Sequence, residues 1–134
     1  MGHDFERIRI TAPAVPAQNG TAVLFDSTKH VAGGLSMAGA SRLRLSFPGL
    51  NQPSAAGGLI GYSSADKGVT WNKFKFGGTV LPATVAAATA DDFSAYDIFI
   101  GTEEDVKFEL TIGTVPTVWT PVIVVKIGDD HAGA

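Results

Sequence analysis

From residue 106 to residue 112 every second side chain is apolar: Val106, Phe108, Leu110 and Ile112 alternate with Lys107, Glu109 and Thr111. Successive side chains of a strand point to opposite faces, so this segment buries one face and wets the other only as β-structure. Residues 42–47 repeat the pattern, with Leu43, Leu45 and Phe47 on one side and Arg42, Arg44 and Ser46 on the other. A helix would scatter both sets around its circumference. Six further segments, 5–10, 21–25, 58–63, 70–76, 96–101 and 118–127, are rich in β-branched or aromatic residues and bounded by Gly, Pro, Asn or Asp, and are read as strands.

About eight short strands separated by turn clusters predict an all-β domain, an antiparallel β-sandwich or jelly roll with little or no helix. The best helical candidate, 83–95, contains Thr84, Val85, Thr89 and the adjacent Asp91 and Asp92, and supports one or two turns at most. Crossover helices for a parallel sheet are missing. The expected organisation is a single domain over 1–134. Within it, 1–20 form a first strand and a proline-containing arm, and 128–134 form a C-terminal tail.

Composition removes several classes of function. The chain has 134 residues, no Cys, and 10 Lys and Arg against 13 Asp and Glu. A domain of roughly this size buries enough surface to fold without disulfides or a structural metal. Zero Cys excludes thiol catalysis and Cys-ligated zinc. No apolar run approaches the ~18 residues of a membrane-spanning helix, and Asp4 and Glu6 do not suit a secretory signal. Nucleic acid is not an expected partner at a net charge of −3 without a basic stripe; Arg7 with Arg9 and Arg42 with Arg44 are the nearest approach to one.

Catalytic constellations are equally sparse. His3, His30 and His131 lack metal-ligand spacing, and Glu103-Glu104-Asp105 and Asp129-Asp130-His131 read as solvated turns rather than a calcium loop. Gly33-Gly34 and Gly57-Gly58 are turn glycines, with no lysine or helix placed to make a phosphate loop. No Gly-x-Ser-x-Gly marks a nucleophile. The expectation is a protein without catalytic residues, cofactor or metal.

The densest local pattern is Ser64-Ala65-Asp66-Lys67-Gly68-Val69-Thr70-Trp71. It resembles the Asp-box hairpin of sialidases and of many non-catalytic β proteins. Asp66 is expected to accept hydrogen bonds from turn N–H groups, Gly68 to supply a positive φ, Ser64 and Thr70 to bond across the loop mouth, and Trp71 to bury its ring below. A propeller of at least four blades, at roughly 40 to 50 residues each, does not fit this length, so the motif is read as a structural hairpin.

Aromatic side chains could support carbohydrate binding, but Trp71 belongs to the hairpin and Tyr62 and Tyr96 lie within strands. Trp119, between Pro116 and Pro121, looks free to stand at an edge. Only 17% of residues are charged, below the usual quarter, which suggests a surface partly covered by other chains. In length, Gly/Ala/Thr-rich β composition, lack of Cys and the single Asp-box-like hairpin, the chain resembles the decoration or cement proteins of tailed-phage capsids. That resemblance implies a non-enzymatic virion protein on the capsid surface, a dimer or trimer bound to the major capsid protein. Candidate interface residues are Phe5, Arg7, Arg9, Pro13, Pro16 and Trp119, and removal of residues 1–10 is expected to leave a folded domain. A carbohydrate-binding module using Trp119, or another virion domain on a tail or fibre, are the alternatives.

Overall fold

The structure is a computed structural model that describes residues 6–29, 31–32, 35–36, 40–73, 81–89, 91–100 and 105–127. In chain order its strands are β1 (Glu6–Ile10), β2 (Thr21–Asp26), β3 (Val31–Ala32), β4 (Leu35–Ser36), β5 (Ala40–Pro48), β6 (Ser54–Ser64), β7 (Asn72–Lys73), β8 (Phe93–Phe99), β9 (Asp105–Ile112) and β10 (Val122–Ile127). Eight of them form two antiparallel four-stranded sheets, ordered β1-β10-β5-β8 and β2-β9-β6-β7, while β3 and β4 make a small separate hairpin. The pairing is nested: first sandwich strand with last (β1 with β10), then β2 with β9, β5 with β8 and β6 with β7. This is a long hairpin rolled up on itself, the strand order of a jelly roll.

The alternating segments lie as expected. In β9 every second residue from Val106 to Ile112 is buried, and in β5 Leu43, Leu45 and Phe47 face inward. Ile10, Ile98, Ile123 and Val125 join them from the first sheet. They meet Leu24, Phe25, Leu59, Val106, Phe108 and Leu110 from the second in one continuous core. In β2 the register shifts between Val23 and Phe25, so the consecutive Leu24 and Phe25 are both fully buried. A bulge is the device that lets two neighbouring residues point the same way.

Several boundaries differ from the sequence expectation; β8, expected over 96–101, spans Phe93–Phe99 and so begins inside the segment read as the best helical candidate. The segment 83–89 is not helical. Ala83 exchanges backbone hydrogen bonds with Leu59 in both directions, Val85 does so with the backbone N–H and hydroxyl of Ser54, and Ala88 N–H donates to the Leu50 carbonyl. Sheet edges and a buried serine satisfy this backbone, which a helix would otherwise satisfy internally. Strand β6 begins at Ser54 rather than 58, because Ser54 pairs with Ile112 across an irregular stretch. Residues 118–121 are loop, and β10 starts only after Pro121. Of the expected strand 70–76, Asn72–Lys73 is observed and 74–76 lie outside the described residues.

Candidate functional site

With Ile8 and Ile10 of β1, Ile123 and Val125 of β10, Leu43 and Leu45 of β5 and Ile98 of β8 turned toward the core, the alternate residues of these strands face outward. Register then aligns them in rows. One row runs Arg7, Lys126, Arg42, Phe99 across the four strands, and the next runs Arg9, Val124, Arg44, Asp97. All four arginines of the chain thus share one face with Lys126, and among the described residues Asp97 is a carboxylate placed with them. Arg7, Lys126, Arg42, Arg44, Asp97, Phe99 and Val124 line a groove of about 510 Å³ on this face.

Two details describe how the cations sit. Lys126 has Arg7 as its cross-strand neighbour on one side and Arg42 on the other, so three cations share one register row. Arg42 is also oriented: its guanidinium carbon lies 4.2 Å from the centroid of the Phe99 ring, and Phe99 is half exposed instead of joining the core. A cation over an aromatic face gains about 0.5–1 kcal/mol at an exposed site. In sequence, Arg7 with Arg9 and Arg42 with Arg44 are two separate pairs and form no basic stripe. The rows correct this, since register unites residues 7–9, 42–44 and 126.

The Ser64–Trp71 pattern closes the turn between β6 and β7. The Asp66 carboxylate accepts from the Ser64 hydroxyl at 2.7 Å and from Thr70 N–H at 2.8 Å, and the Ser64 hydroxyl in turn accepts from Gly68 N–H at 2.9 Å. Lys67 and Gly68 both adopt left-handed φ, 59° and 87°. A Cβ on Gly68 would meet Thr28 Cγ2 at 3.1 Å and the Trp71 ring at 3.3 Å, so the turn is pressed against the end of β2. Trp71 is half-buried, and the Lys107 ammonium lies between its ring and that of Tyr62, 4.8 and 5.1 Å from the centroids, while bonded to Glu109 at 3.4 Å. Among the described residues these contacts are those of a closed, internally hydrogen-bonded loop.

The hydrogen bond from Thr70 N–H, followed by that from Ser64, holds the Asp66 carboxyl below its ordinary value. A carboxylate with a lowered folded pKa contributes stability that is complete above the unfolded value of about 3.9 and is lost as pH falls through the folded value. Asp66→Asn is therefore expected to lower Tm at pH 7. Thermal melts from pH 7 to pH 2 should show the gap between wild type and variant closing below about pH 4.

The other sequence candidates disperse. Phe5, His3, His30 and His131 lie outside the described residues, as do Glu103, Glu104, Asp129 and Asp130. Asp105 accepts a hydrogen bond from the Ser27 hydroxyl at 2.9 Å. Pro13 and Pro16 are half-buried in the loop joining β1 to β2. Trp119 is not free: its indole N–H donates to the Pro13 carbonyl at 2.8 Å and its ring packs on the core. It pins the arm to the sandwich, a role that a long-range hydrogen bond creates and that local sequence cannot reveal. β1 itself is paired with β10 along five residues and buries Ile10, so a deletion of 1–10 removes part of the domain instead of a detachable arm.

No family model matches the chain, and no curated protein or solved structure shows significant similarity to it.

Proposed function

We propose that the chain is a non-enzymatic virion structural protein that decorates and cements a capsid lattice, docking through the outward face of β1-β10-β5-β8. The observation that carries this reading is the register row in which Lys126 stands between Arg7 and Arg42. A sheet face that aligns several cations in one row presents a surface complementary to an acidic partner. The jelly-roll strand order is in keeping with the role, because capsid and other virion domains use that architecture widely. The carbohydrate alternative relied on Trp119, whose ring and N–H are engaged within the domain.

Cementing works by mass action. A protein that binds the assembled shell and not its dissociated subunits stabilises the shell by about 2.7 kcal/mol per site at a concentration of 100 Kd, repeated over every lattice site. Individually weak contacts suffice when the sites are many. Copies arranged as dimers or trimers would add avidity on the major capsid protein.

The test is co-sedimentation of the purified chain with empty shells of the virus that encodes it. We expect saturable pelleting in a fixed ratio to the capsid subunit, together with a raised disassembly temperature of the shell. A chain left in the supernatant, or one recovered from particles only with tails, contradicts the capsid reading; the second result favours a tail or fibre domain.

A further inference from the structure

We propose that the basic face takes a run of three or four consecutive acidic residues, held in extended conformation over β10 between the arginine pairs of β1 and β5. Naming the lattice subunit as the source of that run rests on the capsid reading; the ligand chemistry does not.

The placement follows from strand geometry. Strands β1 and β5 flank β10, so Arg7 and Arg9 stand on one side and Arg42 and Arg44 on the other, about 10 Å apart at two strand spacings. Between them Val124 forms an apolar floor and Lys126 closes one end. Alternate residues of a strand are about 6.7 Å apart, which is the spacing within each arginine pair. An extended peptide lying edge-on over β10 sends successive side chains left and right with the same repeat. Its first and third carboxylates then meet Arg7 and Arg9, and its second and fourth meet Arg42 and Arg44. Guanidinium forks suit carboxylates because they bind them bidentately, and the Phe99 ring fixes the plane of Arg42.

A short acidic run also fits better than a long polyanion. Among the described residues this face carries the four Arg and Lys126 with one carboxylate, Asp97, whereas the chain as a whole has 10 Lys and Arg against 13 Asp and Glu. Four residues end within the face, whereas a nucleic acid or sulfated glycan would continue past the groove over a chain of net negative charge.

The test is fluorescence anisotropy with the full chain and three labelled probes: a peptide with four consecutive glutamates between Gly-Ser ends, the same peptide with glutamines, and a 20-nucleotide oligo-dT. At low ionic strength, about 50 mM, where screening is weak, we expect the glutamate peptide to bind and the glutamine peptide not to. Arg9→Glu/Arg44→Glu should weaken glutamate binding by at least about tenfold, since two surface ion pairs are replaced by repulsion. Lys67→Glu/Lys73→Glu, on the β6–β7 turn and in β7 of the other sheet, should leave it within about twofold. Arg9→Gln/Arg44→Gln, with Tm checked, separates charge from folding. Glutamate binding indifferent to both Arg9/Arg44 variants, tighter binding of oligo-dT, or no glutamate binding by the wild type overturns the proposal. Arg-dependent glutamate binding by a chain that does not pellet with shells would refute the capsid reading alone. Pelleting with shells by a chain indifferent to the glutamate peptide would refute this inference alone.

Discussion

Phe108→Ala is expected to lower the stability of the domain by about 3–5 kcal/mol, the usual loss for emptying a buried phenylalanine site. Phe108 is fully buried at the middle of β9, which is hydrogen-bonded to β2 on one side and β6 on the other. Its cross-strand neighbours are Phe25 on β2 and Gly61 on β6. Glycine leaves the ring room on the β6 side, so the β6 position directly opposite supplies no side chain to fill the cavity that alanine would leave. A domain with a total stability of about 5–15 kcal/mol would lose a large share of it. Urea denaturation should show the midpoint falling sharply with an unchanged slope, the signature of lost packing rather than an altered unfolded state. A midpoint close to wild type would mean that the two sheets do not share the core described above.

Gly58→Val is the second large effect, and its sign is the informative part. Valine is favoured over glycine in a strand by up to about 1 kcal/mol, so propensity alone forecasts a gain. At this position a Cβ would lie 2.5 Å from the Thr111 carbonyl oxygen and 2.9 Å from that of Ala55. Both obstacles are backbone, and neither can rotate away. The close approach arises because β6 advances from Ser54 to Leu59 while its partner moves only from Ile112 to Leu110, which folds the extra residues of β6 against β9. The expected result is a loss of about 1–3 kcal/mol, as for other overpacked sites. Thermal or urea unfolding checks it, and a stabilised variant would contradict the bulge.

These two residues also mark how far the sequence could be read. Phe108 was legible because Val106, Leu110 and Ile112 share its face, and a period of two is a local property. The antiparallel sandwich followed from repeating that observation along the chain. Gly58 was legible as a turn glycine opening the 58–63 strand, but its constraint, a carbonyl on another strand, was not. The same limit hid the docking face. Arg7, Arg42 and Lys126 are far apart in the chain, and their alignment depends on the β1-β10-β5 register, which no local pattern encodes. Trp119 failed as a free aromatic for a related reason, because its partner is the carbonyl of Pro13, in the loop after β1 and 106 residues away in the chain. The Ser64–Trp71 turn was the opposite case: its contacts lie mostly within its own eight residues, so residue types alone located it.

The central claim is that the outward face of β1-β10-β5-β8 is where this protein meets its partner. A cryo-electron microscopy map of particles decorated with the chain tests it most directly. The account predicts density for the sandwich on the shell with that face against the capsid subunit, and Arg9 and Arg44 within ion-pair distance of carboxylates in an extended acidic segment. A sandwich bound with that face turned to solvent would contradict it.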